Sequence, residues 1–332
     1  SIENVEIIGS HAEATYAVNF AHVFRARMAG CTVRDFGNQG IILRGAIDSE
    51  VVNNIIDNLL DDLGNGRAGY GVCLAGPSLN VRVQNNTISR VRHGFTTIGG
   101  STGFPHGVLV QGNLCRDTSS AGIDTHNSGD NIDILDNVVL LSKSSGITGR
   151  SKNTRVKGNT IIKPASHGIS FVESGLSNLV IEGNTIDTPL GHGISVAYDC
   201  PDLVTQTNLI KKAGGEGIRV FDSNTADCPG LVIAGNKVLG YGYVTINRAG
   251  ILANVAVGIT GALIKDNHFE SLAGSVNYGI RLVGVTASAV VGNTVSGTVP
   301  TTRFDLGTNF AQGNQTVDFS VAQLRFHNST SA

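Results

Sequence analysis

Residues 178–198 read Asn-Leu-Val-Ile-Glu-Gly-Asn-Thr-Ile-Asp-Thr-Pro-Leu-Gly-His-Gly-Ile-Ser-Val-Ala-Tyr, and they contain two phrases that repeat along the chain. In the first phrase, a Gly-Asn or Asp-Asn pair precedes aliphatic or β-branched residues, as at Gly183-Asn184. In the second, glycine precedes a large apolar residue, as at Gly193-Ile194. The first phrase recurs at intervals of 21 to 32 residues, and the second keeps step with it. Two phrases that repeat together at this period indicate a solenoid.

Each repeat contains three short stretches rich in Val, Ile and Thr, in which apolar residues alternate with polar or small ones. This alternation is typical of strands, and a helical period is hard to find. We therefore predict an all-β fold, a single-stranded right-handed parallel β-helix of about 11–12 coils with three short strands per coil. The predicted β-helix spans residues 1–315, and residues 316–332 are predicted to be a C-terminal tail. Two stretches, 61–70 and 98–107, do not fit the strand pattern and are predicted loops.

The repeated asparagine has a structural interpretation. Asparagine tolerates left-handed backbone at a tight corner, and its side chain bonds neighbouring backbone groups. Asparagines stacked in register can also bond one another along the axis of the solenoid. The repeated asparagines are therefore predicted to set the coil register and are not site candidates.

Composition excludes several function classes. The 332 residues carry a net charge of −2, which argues against nucleic acid as a partner. No apolar run is long enough to cross a membrane, so no membrane partner is predicted. The five cysteines are far apart and form no CxxC motif, so neither a disulfide framework nor a zinc site is indicated. The first residues already fit the repeat, so we expect a fragment or a processed chain.

Residues that depart from the repeat are the candidates for a functional site. Outward residues at equivalent positions of stacked parallel strands become neighbours about 4.8 Å apart. Asp124-Thr125-His126 stands where other coils have smaller residues. The first candidate patch combines imidazoles, a carboxylate and guanidinium groups on adjacent coils. Its predicted catalytic residues are His93, Asp124, His126 and Arg150, and its predicted substrate-binding residues are Arg92 and His106, the latter in the 98–107 loop.

A second candidate patch is a ladder of carboxylates just past three consecutive Gly-phrase strands. Glu173 and Asp199 are predicted to be catalytic, and Asp222 to bind substrate. Stacked carboxylates repel, which suits a glycosidase pair or a cation site. The alternative is that these side chains simply point into water. Arg219 and His167 are further predicted substrate-binding residues, although His167 and His192 each precede a glycine and also fit a corner position.

No spacing typical of metal ligands, such as HExxH, occurs in the sequence. We therefore predict no cofactor and no metal ligands, with Ca²⁺ at the carboxylate ladder as an open alternative.

The repeats resemble the pectate-lyase-like superfamily of right-handed β-helices. The stretch from Ala121 to Asn137, with Gly-Ile-Asp-Thr-His, and the stretch Arg92-His-Gly-Phe-Thr-Thr97 are similar to phrases of phage tailspikes and pre-neck appendages. The end of the chain, residues 324–332, is similar to the closing segment of such appendages. This resemblance implies a homotrimer, extracellular or on a virion as a tail appendage, that binds and cleaves bacterial surface polysaccharide or teichoic acid. The long calcium motif of pectate lyases is not visible.

Three functions remain open from the sequence. The first is a glycan depolymerase that holds an extended polymer in a groove on the β-helix face. Hydrolysis would need a carboxylate pair among Asp124, Glu173, Asp199 and Asp222, whereas elimination would use His126 or Arg150 as the base. The second is a glycan-binding adhesin without catalysis, although tryptophan, a common sugar platform, is absent. The third is a uronan C5-epimerase, which shares the proton abstraction of a lyase.

Overall fold

The computed structural model describes residues 1–11, 16–62, 64, 66–99, 103–126, 129–198, 200–222, 228–242, 244, 248–271, 278–297, 303–306, 309–318 and 326–328. The chain divides into two compact units, unit 1 (Ser1–Ala165) and unit 2 (Ser166–Ala332), each described here by itself. The named elements of the described residues are all β-strands, and none of these residues forms a helix able to span a membrane.

Unit 1 is built from three parallel sheets, to which each full coil contributes one strand apiece. Sheet A contains β1 (Ile2–Glu3), β4 (Arg27–Ala29), β7 (Glu50–Val52), β12 (Arg82–Gln84), β15 (His106–Gln111), β18 (Asp130–Leu135) and β21 (Lys152–Lys157). Sheet B contains β2 (Glu6–Ile8), β5 (Thr32–Arg34), β8 (Ile55–Asp57), β13 (Thr87–Ser89), β16 (Leu114–Arg116), β19 (Val138–Leu140) and β22 (Thr160–Ile162). Sheet C contains β3 (Tyr16–Ala21), β6 (Gln39–Arg44), β11 (Tyr70–Ala75), β14 (His93–Ile98), β17 (Ile123–Thr125) and β20 (Ile147–Gly149).

Unit 2 repeats this arrangement with its own strands of sheets A, B and C. Sheet A contains β24 (Val180–Glu182), β27 (Val204–Gln206), β30 (Val232–Ala234), β33 (Leu263–Lys265), β36 (Ala289–Val291) and β39 (Phe310–Gln312). Sheet B contains β25 (Thr185–Asp187), β28 (Leu209–Ala213), β31 (Lys237–Tyr241), β34 (His268–Ser271), β37 (Thr294–Gly297), β40 (Gln315–Asp318) and β41 (Phe326–Asn328). Sheet C contains β23 (Ile169–Phe171), β26 (Ile194–Ala197), β29 (Ile218–Asp222), β32 (Ala249–Thr260), β35 (Tyr278–Thr286) and β38 (Arg303–Asp305).

The predicted all-β parallel β-helix with three strands per coil is confirmed, with about eleven coils in the described residues. Strands β38, β39 and β40 extend the pattern of unit 2 through residues 303–318, a region in which the sequence loses the repeat. The last strand, β41, pairs antiparallel to β40. The boundary at residue 315 between β-helix and tail stays a prediction.

The core of each coil is a set of inward apolar side chains, at least one from each strand. In the coil of β12 to β14 these are Val83, Ile88 and Phe95, all almost completely buried. Burial of one such side chain contributes about 1.5–3 kcal/mol. The glycine of the second phrase is required by close approach: a Cβ on Gly94 would lie 2.4 Å from Cys115 Sγ. The five cysteines are free and buried, in agreement with this packing.

The buried asparagines form a ladder along each unit. In unit 1 the backbone N–H and the side-chain amide of Asn86 both donate to Asn113 Oδ1, at 3.0 and 2.9 Å. The left-handed residue of the corner is the one before each asparagine, for example Asn85 at φ 55° and Gly112 at φ 66°. The two residues of the first phrase therefore have different roles. The Gly, Asp or Asn adopts the left-handed backbone of the corner, and the Asn that follows it forms the hydrogen bonds of the ladder.

One insertion departs from the coil. Strands β9 (Asp61–Asp62) and β10 (Arg67–Ala68) form a two-stranded antiparallel pair within the 61–70 stretch. Ala68 packs against Ile42 and Cys73 on the outward side of sheet C. The predicted loop thus covers part of one sheet face in unit 1.

Candidate functional site

The outward side of sheet C changes from apolar to polar along unit 1. Ile42 and Cys73 pack with Ala68, and the next positions in register are Thr96 and Asp124. Asp124 therefore lies just beyond the apolar cover, and it is only 3% exposed. A buried carboxylate requires polar partners.

Three cationic or imidazole groups surround Asp124. His126 Nε2 lies 3.1 Å from Asp124 Oδ2, and His93 Nε2 lies 3.7 Å from the same oxygen. Arg150 Nη1 lies 3.2 Å from Oδ1 and 3.4 Å from Oδ2. Both oxygens of Asp124 therefore face positively charged or proton-bearing groups, so this carboxylate is suited to orient its neighbours.

The orientation of His93 is fixed by the backbone. Its Nδ1 is 2.9 Å from the carbonyl oxygen of Ala121, so Nδ1 carries the hydrogen and Nε2 keeps its lone pair. Burial lowers the pKa of His93 to about 4, against the opposing effect of the Asp124 charge. The ring is therefore neutral at pH 7, and its Nε2 lone pair is directed toward His126, whose Nε2 is 3.4 Å away.

His126 is the most exposed member of the cluster, ahead of Arg150. It directly follows β17, and its side chain is 29% exposed. Its carbonyl accepts a 3.0 Å hydrogen bond from the Thr97 hydroxyl, and the Arg150 N–H donates to Thr125 Oγ1 at 2.9 Å. These bonds hold the chain segments that carry His126 and Arg150 against the edge of sheet C.

The 61–70 insertion supplies one wall of the site. The ring of Tyr70 lies 5.3 Å from that of His93 and 6.3 Å from that of His126. Arg92 lies over the Tyr70 ring and pairs with Asp61 at 3.7 Å. Burial raises the pKa of Tyr70, so its hydroxyl keeps its proton. Tyr70 and Asp61 were not candidates from the sequence, because the irregular spacing of 61–70 hid their position beside the patch.

The structure brings most of the first predicted patch together. His93, Asp124, His126 and Arg150 form one cluster, and Arg92 joins it through Tyr70. His106 lies elsewhere: it begins β15 in sheet A, and its Nδ1 is 3.4 Å from Asp130 Oδ2. The contacts described for His106 do not reach Asp124.

The second predicted patch is described only in part. Glu173 is half-buried and follows β23. Asp199 lies outside the described residues, as does the side chain of Asp222. The carboxylate ladder, and with it the calcium alternative, stays a prediction.

Unit 2 has a buried charged cluster of its own. Glu216, 2% exposed, lies 2.7 Å from His192 Nδ1 and 3.1 Å from Arg248 Nη1. Arg219 Nη1 lies 3.0 Å from His192 Nε2. Burial alone would raise the pKa of Glu216, but the hydrogen bond and charge of His192 and the charge of Arg248 lower it to about 2. His167 stacks on His192 with ring centroids 4.7 Å apart.

Two members of this cluster, Glu216 and Arg248, were missed as candidates from the sequence. The signal was present for Glu216, which occupies the pre-glycine column that also holds His167 and His192. Arg248 follows a stretch of irregular spacing, so the repeat could not place it. His192 fits a structural role, because both its ring nitrogens face protein groups.

Acid destabilisation is expected from His167. Burial, together with the nearby His192 and Arg219 and against the charge of Glu216, lowers its pKa to about 4. The unfolded chain takes up this proton near pH 6.5, so the contribution to stability is present above that pH and is lost between pH 6.5 and 4. The loss is about 3 kcal/mol. We expect the melting temperature of the wild-type protein to fall between pH 6.5 and 4, and that of H167Q to fall less. An equal fall in both proteins would contradict the assignment to His167.

His93, Asp124 and His126 also have the donor set of a metal site. Their Nε2, Oδ2 and Nε2 atoms lie 3.1, 3.4 and 3.7 Å apart. Donors at about 2.0–2.1 Å from a tetrahedral ion are about 3.3 Å from one another, so this spacing fits. The other carboxylate oxygen, Asp124 Oδ1, accepts no hydrogen bond but lies 3.2 Å from Arg150 Nη1. Imidazole nitrogen suits copper and zinc far better than calcium.

Solved structures with a similar fold include an epimerase, a polygalacturonase and an adhesin. The mannuronan C-5 epimerase AlgE4 A-module of Azotobacter vinelandii has a TM-score of 0.63 at 13% identity, covering 95% of this chain and 86% of that one. The exopolygalacturonase of Thermotoga maritima has a TM-score of 0.58 at 9% identity, covering 91% and 86%. The surface protein and adhesin PfbA of Streptococcus pneumoniae has a TM-score of 0.50 at 14% identity, covering 95% and 88%.

At these identities the similarities establish the fold alone, and they confirm the right-handed β-helix that the predicted superfamily implies. The tailspike resemblance stays a prediction. No curated protein sequence matches the chain. Residues 142–301 match the model of the right handed beta helix region. Residues 24–205, more than half of the chain, match a second model. The chain therefore belongs to the family described as periplasmic copper-binding protein (NosD).

Proposed function

We propose that this chain is a glycan-active enzyme whose reaction centre is Asp124, His126 and Arg150 on sheet C of unit 1. The observation that carries the proposal is the half-exposed His126 ring held 3.1 Å from a buried carboxylate. A carboxylate that orients an imidazole is a recurring arrangement for a general base. Enzymes named for polysaccharide substrates share this fold, which agrees with the proposal.

The geometry favours proton abstraction next to a uronate carboxylate. Because Nε2 of His126 faces Asp124, Nδ1 is the nitrogen that takes the proton from C5 of the sugar. In a lyase the electrons of the broken C–H bond form the C4–C5 double bond, and the C4–O bond breaks. In an epimerase a proton returns to C5 from the other face. The guanidinium groups of Arg150 and Arg92 supply positive charge for the sugar carboxylate.

Hydrolysis is the weaker alternative because it needs a second carboxylate beside the first. Asp124 has both oxygens directed at Arg150, His126 and His93, which suits an orienting role. Glu173 belongs to unit 2, and the other members of the predicted carboxylate ladder lie outside the described side chains. Asp61, paired with Arg92, is the carboxylate on which hydrolysis at this site would depend.

The proposed substrate is an extended acidic polymer of a bacterial surface, either a polysaccharide or a teichoic acid. The proposed location is outside the cytoplasm, in agreement with the periplasmic description of the family. A homotrimer, on a virion or free, belongs to the same proposal and rests on the tailspike resemblance.

The deciding experiment incubates the protein with panels of uronans, capsular polysaccharides and teichoic acids. Absorbance near 235 nm reports unsaturated ends, reducing-end assays report hydrolysis, and proton NMR reports epimerised residues. We expect unsaturated ends or epimerisation on a uronan, with loss of the reaction in H126A. Binding without any reaction would support the adhesin alternative, and reducing ends without absorbance would support the hydrolase.

Copper binding is a second candidate function, because the family description names copper and one observation favours it. Three donor atoms of His93, Asp124 and His126 converge within 3.7 Å of one another. A titration of the protein with Cu(II) tests this function: one tightly bound equivalent per chain supports it, and the absence of binding contradicts it. Bound copper would supply a Lewis acid at the edge of sheet C.

A further inference from the structure

The strongest unexplained feature of the reaction centre is the direction of the His93 lone pair. The Ala121 carbonyl accepts the hydrogen on Nδ1, so Nε2 presents a lone pair to a carboxylate oxygen 3.7 Å away. The hydrogen on His126 Nε2 lies between two acceptors, Asp124 Oδ2 at 3.1 Å and His93 Nε2 at 3.4 Å, and one hydrogen serves both of them. A cation in place of this hydrogen would have all three atoms as donors.

The surroundings of His93 are those of a metal-binding histidine. Histidine ligands generally donate their other ring N–H to a carboxylate or backbone carbonyl, which fixes the tautomer and the ring orientation. The 2.9 Å bond from His93 Nδ1 to Ala121 is such an interaction. The ring is 1% exposed and cannot turn away from the cluster without breaking that bond.

We infer that His93 Nε2, His126 Nε2 and Asp124 Oδ2 form a three-donor site for a divalent ion that prefers imidazole, with Cu(II) bound most tightly. This inference rests on the copper-binding candidate function and assigns its residues. Two nitrogens and one oxygen make a poor site for Ca²⁺, which takes six to eight oxygen ligands. Affinity for mixed nitrogen and oxygen sites rises toward Cu(II) among the first-row divalent ions.

Arg150 is a positioning residue that opposes the ion. Its Nη1 lies 3.2 Å from Asp124 Oδ1, so its charge offsets the charge of the only carboxylate in the site. Removal of this guanidinium leaves the donors unchanged and the site more negative. We therefore expect R150M to bind Cu(II) more tightly than the wild-type protein, by about tenfold for a screened charge a few ångströms from the ion.

The ion and the proposed base use the same residue. An ion bound at Nε2 of His126 would leave the hydrogen of that ring on Nδ1, which is the nitrogen that takes the proton in the proposed reaction. Cu(II) is therefore expected to inhibit the glycan reaction, and removal of the ion with a chelator to restore it.

The test combines calorimetric titration with electron paramagnetic resonance of the Cu(II)-loaded wild-type chain. We expect one equivalent with superhyperfine splitting from two nitrogens. In H126A we expect the splitting from one nitrogen to be lost and Cu(II) to bind at least about 100-fold more weakly. In D124N we expect a comparable weakening of Cu(II) binding. The matched control is H106A, a half-exposed histidine in sheet A that also faces an aspartate. Circular dichroism confirms that each variant is folded.

The outcomes separate the inference from the function on which it rests. If the wild-type chain binds no Cu(II), both fail. If it binds Cu(II) and the spectrum is unchanged in both H126A and D124N, copper binding stands and the assigned residues are wrong. A variant of the buried His93 is not needed for the test, so its failure to fold would not affect the result. The variants H126A and D124N decide it. Equal binding of Ca²⁺ at this site would also overturn the inference.

Discussion

Replacement of Asn86 by alanine is expected to lower the free energy of unfolding by about 3–6 kcal/mol, because it leaves several buried polar groups unpaired. Asn86 Oδ1 accepts bonds from the backbone and the side-chain amide of Asn54, at 2.9 and 3.0 Å. Its own amide donates to the Val51 carbonyl and to Asn113 Oδ1, both at 2.9 Å. Each of these atoms is inside the coil, where water cannot replace the lost partner.

The matched control is the preceding residue. Asn85 is exposed and left-handed, with φ 55°, a conformation that glycine adopts freely. N85G is expected to change stability by no more than about 1 kcal/mol. Urea unfolding followed by circular dichroism measures both variants. If N86A and N85G lower the free energy of unfolding equally, the left-handed corner and not the asparagine ladder stabilises the stacked coils.

This contrast also shows what the sequence could predict about the fold. The period of the Gly-Asn phrase predicted the coil and the register, since each asparagine of the phrase, as at Asn86 and Asn208, bonds its equivalent one coil away within its unit. The sequence could not tell which residue of the phrase adopts the left-handed corner, because Asn and Gly both tolerate it. The structure assigns the corner to the first residue and the ladder to the second.

The candidate site was predictable where the repeat is regular and not where it is interrupted. Asp124 and His126 were identified because the repeat aligns them with smaller residues at the equivalent positions of other coils. Asp61 belongs to an insertion whose path depends on its packing against sheet C, which no periodicity encodes, and Tyr70 begins β11 directly after that insertion. His106 was predicted to join the patch because its loop follows β14 in sequence, but His106 begins β15 in sheet A and faces Asp130 there.

The cluster at Asp124 also explains why one site supports two candidate functions. A half-exposed imidazole oriented by a carboxylate is suited to take a proton, and the same atoms with a second imidazole are suited to hold an ion. Arg150 favours the first use, because its charge lowers the affinity for a cation and attracts an acidic sugar. The state of the site in solution therefore depends on the competition between ion and polymer for the same donors.

Loss of activity in D124N is the largest expected effect on the proposed glycan reaction. The amide keeps the size of the carboxylate, but it removes the charge that faces Arg150 and the acceptor that orients His126. An imidazole held in the wrong tautomer by such a replacement costs about 10⁴-fold in kcat. We expect a loss of this size, measured by unsaturated ends or epimerised residues on the uronan that the wild-type protein accepts.

The control for D124N is D133N, which breaks a partly exposed pair between Asp133 and Arg155 on sheet A. It removes the same charge from unit 1 and is expected to leave kcat within about twofold, since exposed pairs contribute little. The division between kcat and KM then decides the role of Asp124. A fall in kcat at constant KM means that Asp124 acts in the transition state through His126. A rise in KM alone would place Asp124 in substrate binding, and unchanged kinetics would exclude this cluster as the reaction centre.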